Sequence, residues 1–309
     1  MELPKSPMTP IYSDELPEGP GWGFQLKWDG VRLLAEIDQG DIRLYSRSML
    51  PKNNVYPEIT DTLRQQSLKG SYVLDGEAVA FNLLTQKPDF PKILQRERSA
   101  PGSGVRSKSG IMIIYVLFDL LYDRGEDIRE LPYQERHSRL ARLFPDKQAQ
   151  LFVSDLFDDG AALWDWVEQR SWEGVVSKRL SSTYREGKQH KDWFKKKTAV
   201  ILQVQIVGLT IRGGQVASLV MLQGGAFFGK VSLGLNVKLK RQLLEWGTQH
   251  GGGEPLFAPL PPELKGEQVL WLTTWFPCTV TGLEVTAGGL LRHPKLVSFE
   301  LVPGQPIVI

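Results

Sequence analysis

The sequence predicts an α+β chain of two domains, in which a larger domain of sheets and helices precedes a smaller, β-rich one. Up to about residue 199, short apolar runs alternate with turns and with stretches of helical periodicity. After about residue 200, β-branched and apolar segments are separated by glycines. The chain of 309 residues is long enough for two ordinary domains. We therefore expect domains at residues 1–199 and 200–309.

The predicted strands of the first domain are runs of apolar and β-branched residues bounded by turn residues. They are residues 21–27, 31–37, 42–45, 72–81, 111–121, 175–178 and 193–197. The segment Asp38-Gln39-Gly40-Asp41 joins the second and third of them and predicts a hairpin turn. Because 111–121 is apolar almost throughout, we expect it to be a buried strand. We expect the sheets of this domain to be antiparallel.

The predicted helices of the first domain have apolar residues three or four apart, or a helix-starting proline. They are residues 56–66, 89–98, 132–143 and 159–169. Ile59 and Leu63 lie on one face of the first helix, and Pro132 suits the start of the third. The segment 99–110 is rich in glycine and serine, which predicts a flexible, basic loop.

The second domain contains about five predicted strands and a single helix. Residues 200–235 are β-rich, the helix is predicted at 236–249, and later strands are predicted at 269–275, 278–286 and 296–301. This number of strands with one helix is typical of a small β-barrel, and an OB-fold fits it.

The composition of the chain argues against a membrane-spanning, secreted or cysteine-rich protein. The chain is 41% hydrophobic and 23% charged, the balance of a globular protein. No apolar run approaches the ~20 residues of a membrane span, and the N-terminus lacks the profile of a signal peptide. Cys278 is the one cysteine, which excludes an intrachain disulfide framework and a cysteine-rich zinc site. We expect a cytoplasmic protein with no membrane partner.

Positive charge is concentrated in one region. The net charge is only +2, but residues 171–200 hold eight Lys and Arg against three Asp and Glu. Aromatic residues lie among these charges, as in proteins that bind polyanions. A solvated surface stretch would explain the same charge run.

Several charged segments lie on or beside the predicted strands, in a fixed order. They are Lys27-Trp28-Asp29-Gly30-Val31-Arg32, Ser46-Arg47, Leu74-Asp75-Gly76-Glu77, Val116-Leu117-Phe118-Asp119, Glu173-Gly174-Val175-Val176-Ser177-Lys178 and Trp193-Phe194-Lys195-Lys196-Lys197. Lys27 at a strand end suits a positioned nucleophile, although an exposed lysine would look the same. Asp75 and Glu77 share one strand face, where they repel each other unless cations lie nearby.

In this order the segments resemble the nucleotidyltransferase motifs of ATP-dependent DNA ligases and of their relatives, the RNA ligases and mRNA capping enzymes. The resemblance covers about residues 20–200 and is strongest to the ligase component of bacterial non-homologous end joining, the ligase D type. It implies an adenylation domain at 1–199 and an OB-fold domain at 200–309. It also implies a bacterial enzyme of the cytoplasm, associated with the nucleoid.

The resemblance implies three reactions at one site. Lys27 attacks the α-phosphorus of ATP and forms a lysine–AMP intermediate, AMP passes to a 5′-phosphate, and a 3′-hydroxyl then attacks. Asp29 would orient that hydroxyl and a metal ion, and Lys178, Lys195 and Lys197 would neutralise phosphate charge. The metal would be Mg²⁺ or Mn²⁺.

The resemblance also assigns residues to the nucleotide and the metal. Glu77 and Arg32 would hold the ribose, Phe118 would stack on adenine, and the metal ligands would be Glu173 and Glu77. The remaining nucleotide contacts implied are Gln25 (where relatives usually carry Glu), Arg47 and Lys178. A core phenylalanine would look the same as a stacking Phe118.

The implied partners are nicked or broken double-stranded DNA and an end-binding protein of the Ku type, with the ligase itself monomeric. Two alternatives remain open: an RNA ligase or capping-type nucleotidyltransferase, and a non-catalytic nucleic-acid-binding scaffold. The segment Leu291–Leu296 resembles the approach to the family's Arg-x-Asp-Lys motif, which does not follow it. Either Arg292 or Lys295 substitutes for that motif, or self-adenylation is slow, or the protein acts mainly when already adenylated.

Overall fold

The chain divides into two units, Met1–Thr198 and Ala199–Ile309. The computed structural model describes residues 1–98, 110–286 and 288–309. The flexible loop predicted at 99–110 therefore lies, except for Gly110, outside the described residues. In the part of the chain that is described, none of the helices has both the length and the apolar composition of a membrane span.

The first unit is built from eleven strands and four helices among its described residues. Its strands are β1 Ile11–Tyr12, β2 Trp22–Leu26, β3 Val31–Asp38, β4 Asp41–Ser46, β5 Ser71–Asn82, β6 Lys87–Pro88, β7 Ile111–Asp123, β8 Glu126–Asp127, β9 Leu151–Val153, β10 Gly174–Arg179 and β11 Trp193–Lys197. Its helices are α1 Pro57–Gln65, α2 Phe90–Arg98, α3 Tyr133–Leu143 and α4 Gly160–Gln169.

Two sheets organise this unit. The smaller has the strand order β1-β11-β10-β2, and the larger has the order β4-β3-β5-β7-β8, with β6 beside β5 and β9 beside β7. Most neighbours are antiparallel, as predicted, but the pairs β1–β11 and β7–β9 are parallel. The prediction of purely antiparallel sheets is wrong there because β1 and β9, of two and three residues, are too short for a strand pattern.

The period of two along β5 separates the core from the functional face. Leu74, Ala78 and Ala80 point into the main apolar core, which also contains Ile59 of α1 and Leu140 of α3. The residues between them face the other way, so the polar side chains of β5 lie on the side of the sheet opposite the helices. Because the apolar face of β5 is buried in the core, the polar side chains of this strand point to the opposite side of the sheet.

The second unit combines a six-stranded sheet with one α-helix. Its elements are β12 Val200–Arg212, β13 Gln215–Gln223, β14 Ala226–Val231, α5 Val237–His250, a 3₁₀ turn Pro262–Leu264, β15 Gln268–Gly282, β16 Glu284–Val285, β17 Leu291–Arg292, β18 Lys295–Val302 and β19 Gln305–Val308. The sheet order is β14-β13-β12-β15-β18-β19, and α5 packs against β13 and β15. A parallel bridge between Leu233 and Lys295 connects the chain after β14 to β18.

The strands predicted separately at 269–275 and 278–286 are largely one strand, β15. Its pairing with β12 shifts register between Ile206 and Gly208, so Ile206 faces Phe276 whereas Gly208 faces Trp271. The residues between Trp271 and Phe276 are therefore absorbed in an irregularity of the ladder. The break predicted at Phe276 and Pro277 is not observed, because these two residues pair in register with Ile206 and Gln205.

Candidate active site

The first unit contains a cavity of about 380 Å³. Trp28, Gly30 and Val31 line it, beside residues from β3, β5, β7, β10 and β11. Eight of the side chains proposed from the sequence lie in its wall: Gln25, Lys27, Arg32, Arg47, Glu77, Phe118, Lys178 and Lys195. Segments up to about 170 residues apart in the sequence are thus brought to one site.

Lys27 follows the end of β2, and both its backbone and its side chain are fixed. Its backbone N–H donates to the carbonyl of Gly174 at 2.9 Å. Its Nζ donates to Oε2 of Glu173 at 2.7 Å. The other carboxylate oxygen of Glu173 is paired with Nζ of Lys197 at 3.2 Å. Glu173 therefore joins the two lysines that the sequence assigned to nucleophilic attack and to phosphate charge.

Three carboxylates surround this lysine. Burial and repulsion from Glu173 raise the pKa of Asp29 to about 6, although Lys27 and Lys197 draw it down. Burial raises the pKa of Glu77 to about 7, although Lys27 and Arg32 draw it down. The raised values show that the site holds more negative charge than its buried environment stabilises. A cluster of carboxylates of this kind favours the binding of cations.

Arg32 makes a paired contact that the sequence did not assign to it. Its Nε and Nη2 donate to the two carboxylate oxygens of Asp75 at 2.5 and 2.6 Å. Asp75 is fully buried and also accepts a hydrogen bond from Tyr184 at 2.8 Å. The guanidinium carbon lies 4.5 Å from the centre of the Phe118 ring. Asp75 therefore sets the position of Arg32 against the ring expected to stack on adenine.

Lys178 lies in a cage of aromatic rings. Its Nζ is 4.6 Å from the ring centre of Phe118, 4.4 Å from that of Tyr133 and 4.1 Å from that of Trp193. It also donates to the Phe118 carbonyl and lies 3.2 Å from the Tyr133 hydroxyl. Burial lowers its pKa to about 7. These surroundings hold the amine beside Phe118, in the wall of the cavity.

Gln25 is buried and both ends of its amide are engaged. Its Nε2 donates to the carbonyl of Ser154 at 3.2 Å, and its Oε1 accepts from the hydroxyl of Tyr133 at 3.1 Å. Tyr133 thus contacts both Gln25 and Lys178. It is a site residue that sequence reasoning missed, because α3 belongs to no charged segment.

The side chains of β11 alternate as its period of two predicts. Lys195 pairs with Val176 across the sheet and lines the cavity. Lys196 points away, and its Nζ lies 4.1 Å from the ring centre of Trp164. Arg47 is exposed at a turn closed by the Ser46 N–H, which donates to the Leu50 carbonyl. The cavity therefore receives cations from β11 and from this turn.

The raised pKa of Glu77 predicts a stability difference that depends on pH. Between pH 4.5 and about 7 the folded protein retains a proton on Glu77 that the unfolded chain releases. Ionisation at higher pH therefore costs stability in the wild type. We expect Glu77→Gln to be more stable than wild type at pH 8 by about 1–2 kcal/mol, a value reduced for partial exposure. The advantage should vanish well below pH 4.5, where Glu77 is protonated in both the folded and the unfolded chain.

Urea unfolding at several pH values measures this difference. Glu58→Gln is the matched control, because Glu58 pairs with Arg96 outside the cavity wall. A Glu77→Gln variant that is less stable than wild type at pH 8 would contradict the assignment of a strained, buried carboxylate.

A family model for the "ATP dependent DNA ligase domain" matches residues 9–197. The chain is also 29% identical to the "Multifunctional non-homologous end joining protein LigD" of Pseudomonas aeruginosa, over 94% of this chain and 35% of that protein. The "Bifunctional non-homologous end joining protein LigD" of Bacillus subtilis is 28% identical, over 95% of this chain and 48% of that protein. The chain thus spans between a third and a half of these relatives.

Two solved structures resemble the whole chain. The ligase domain of LigD from Mycobacterium tuberculosis is 29% identical, with a TM-score of 0.56 and coverage of 96% of this chain and 94% of that one. A mycobacterial DNA ligase D complexed with ATP and MES is 28% identical, with the same TM-score and coverage of 98% and 97%. The likeness therefore extends over both units.

Proposed function

Because the chain belongs to the family of ATP-dependent DNA ligase domains, we propose that it seals breaks between 5′-phosphate and 3′-hydroxyl ends of DNA at the cavity described above. The membership confirms the resemblance drawn from the sequence motifs. The contact that carries the proposal is that of Lys27 with Glu173, which also holds Lys197. It supports the proposal because the amine of Lys27, which lines the cavity, shares a carboxylate with a second cation.

In the first step we assign the nucleophile to Nζ of Lys27. Nζ loses a proton, its nitrogen bonds to the α-phosphorus of ATP, and the bond from that phosphorus to the pyrophosphate oxygen breaks. Glu173 accepts a hydrogen bond from Nζ at 2.7 Å and is the nearest group able to take the proton. Lys195 and Lys197 offset the negative charge that develops on the phosphate. An oxygen of the 5′-phosphate then bonds to the AMP phosphorus as the bond from Nζ breaks. Finally the 3′-hydroxyl loses its proton, its oxygen bonds to the 5′-phosphorus, and AMP leaves.

The base and the ribose have their own candidate contacts. Phe118 lies in the cavity wall, with Arg32 and Lys178 both near its ring, and we assign this ring to stacking on adenine. Gln25, two residues before Lys27, is the candidate contact for the base, and a hydrogen bond from Tyr133 orients its amide. Glu77 lies opposite Arg32 across the ladder of β3 and β5, which suits both for the ribose. Arg47 is exposed and also lines the cavity, and we assign it to contact with a phosphate.

The carboxylates fit a divalent metal such as Mg²⁺ or Mn²⁺. Glu173, Glu77 and Asp29 supply hard oxygen donors; burial, and to a lesser extent repulsion from Glu173, raises the pKa values of the last two. Among the described residues no group of three or more such side chains is arranged to enclose a metal. The protein would thus contribute one or two ligands, from Glu173 and Glu77, and phosphate oxygens would complete the shell. Such a metal would polarise the phosphate.

We propose that the two units are an adenylation domain and an OB-fold domain. In the second unit β12 pairs with both β13 and β15, and α5 lies between β14 and β15 in the chain. The parallel bridge from Leu233 to Lys295 brings the chain after β14 beside β18. Five strands linked in this ring, with a helix between the third and the fourth, support a Greek-key barrel of OB type.

The cellular role is proposed from the relatives. Their printed names refer to non-homologous end joining, so the substrate would be broken double-stranded DNA in a bacterial cytoplasm. An end-binding protein of the Ku type would deliver a monomeric ligase to such ends. The concentration of positive charge at residues 171–200 supports binding of the DNA backbone.

Sealing of a nicked duplex tests the proposal. With ATP and Mg²⁺ we expect a nick bearing a 5′-phosphate to be joined, and an otherwise identical nick lacking that phosphate to remain open. GTP in place of ATP should support sealing at least about a hundredfold less well, because a base-reading site rejects a purine with the wrong hydrogen-bonding groups. Equal use of GTP, or sealing that needs no nucleotide after removal of bound AMP, would contradict the proposal.

A further inference from the structure

Two charged side chains in the cavity wall have no place in the function proposed so far. Lys52 lies in the turn that precedes α1, and Glu97 lies in the last turn of α2. Nζ of Lys52 donates to Oε2 of Glu97 at 2.5 Å. The two side chains are 15% and 21% exposed. Neither belongs to a charged segment on which the resemblance to ligases rests.

The backbone of Lys52 is fixed, whereas its side chain can change partner. Its N–H donates to the Leu44 carbonyl at 2.7 Å, and its carbonyl accepts from the N–H groups of Val55 and Tyr56. The four-carbon stem beyond this fixed Cα is flexible, and the ammonium has three donors. Lys52 can therefore turn within the cavity without disturbing the turn that carries it.

Glu97 retains a partner if Lys52 leaves. Its second oxygen, Oε1, accepts from the hydroxyl of Tyr56 at 2.7 Å, and Tyr56 is fully buried. An ion pair that is partly open to solvent contributes little to stability, so exchange of one anionic partner for another is cheap. The pair is thus built to release its lysine while its carboxylate remains anchored.

The chemistry of the cavity supplies the competing anion. In this structure Lys52 has Glu97 as its anionic partner, and Glu97 keeps its hydrogen bond from Tyr56 if the lysine moves to another anion. A phosphate oxygen offers the ammonium a charge-assisted hydrogen bond of at least equal strength. The turn of Ser46–Leu50, which presents Arg47, lines the same cavity. Two cations would then face one anionic group.

We propose that Lys52 is a phosphate-binding residue of this site and that it exchanges Glu97 for a phosphate oxygen when substrate binds. The inference rests on the proposed ligase function and adds a contact to it. The phosphate can belong to the β,γ-phosphates of ATP or to the 5′-phosphate end of the DNA. The recognising chemistry is the same for both, and separate reactions distinguish them.

Two half-reactions test the two sources. The first is the rate of lysine–AMP formation at limiting ATP without DNA, and the second is sealing of a nick by already adenylated protein without ATP. We expect Lys52→Met to slow one of them about tenfold, the loss of one charge-assisted hydrogen bond. The first reaction responds if the phosphate is that of ATP, and the second responds if it is that of the DNA. Lys52→Arg should retain most of the rate.

Glu97→Gln separates phosphate binding from a merely structural ion pair. The amide still accepts from Tyr56 but no longer holds Lys52, so we expect the rate that Lys52→Met lowers to be equal to wild type or about two- to threefold higher. Lys147→Met is the matched control, because Lys147 forms an ion pair of 2.6 Å with Asp155 away from the residues that line the cavity. It should leave both half-reactions unchanged.

Three results would overturn the inference. Lys52→Met could match wild type in both half-reactions, which would remove any phosphate contact. Glu97→Gln could lose as much activity as Lys52→Met, which would make the pair a staple between α2 and the turn. If wild type itself forms no lysine–AMP, the proposed function fails and this inference fails with it; an active wild type with an unaffected Lys52→Met overturns the inference alone.

Discussion

Replacement of Lys27 by alanine should abolish formation of the AMP adduct. Wild-type protein incubated with ATP and Mg²⁺ should gain the mass of one adenylyl group, and pyrophosphate should remove it. Lys27→Ala should gain nothing under the same conditions, because Nζ is the atom that bonds to phosphorus. Intact-mass spectrometry measures both outcomes directly, and we expect a loss of at least about a thousandfold in adduct.

A neighbouring lysine provides the control for this experiment. Lys196 lies on β11 between two lysines of the site, but its ammonium packs against Trp164 outside the cavity wall. Lys196→Ala should therefore retain adduct formation. An adduct on Lys27→Ala, or its absence from wild type with any nucleotide, would show that the nucleophile lies elsewhere or that the chain does not adenylate itself.

Replacement of Arg136 by methionine should destabilise the first unit by about 3–5 kcal/mol. Arg136 and Asp119 are both fully buried, and two hydrogen bonds of 2.8 and 2.9 Å join them. The guanidinium also donates to the carbonyls of Leu131 and Ser182. Methionine preserves much of the volume but leaves the carboxylate of Asp119 buried and unpaired. Urea unfolding followed by tryptophan fluorescence measures the loss.

Two further variants separate the charge from the packing. Arg64→Met removes an exposed pair with Asp61, where both side chains are more than 60% exposed, and should cost less than about 0.5 kcal/mol. Combining Arg136→Met with Asp119→Leu should recover most of the lost stability, because no buried charge is then left. If Arg136→Met is as mild as Arg64→Met, the buried pair does not carry the stability that we assign to it.

Eight of the residues that the sequence singled out line one cavity, and each of the segments that carry them has a local signal. Lys27 with Asp29, and Lys195 with Lys197, carry their signal within a few residues, and the period of two in a strand fixes which side chains share a face. The same period placed Lys196 on the other side. Elements with a strong apolar pattern, such as β7 and α5, were predicted to within about two residues.

What could not be predicted depends on partners that are distant in the sequence. Asp75 resembled a weaker companion of Glu77, yet it is the buried partner of Arg32 and of Tyr184, which lies 109 residues away. Lys178 ends a ligase-like segment, and the resemblance therefore implies a nucleotide contact for it. Its aromatic cage forms only when Phe118, Tyr133 and Trp193 converge. No local pattern encodes such convergence.

The strand order of the small sheet, β1-β11-β10-β2, also has a consequence for folding during synthesis on the ribosome. Strand β2, which leads to Lys27, finds its partner β10 only after some 150 further residues have been made. At a synthesis rate of about 5–20 residues per second, the interval to the end of β11 is roughly 10–30 s. During that time β2 has an unpaired edge, which favours protection by a chaperone. The cavity that Lys27 lines is thus completed only as the first unit is completed.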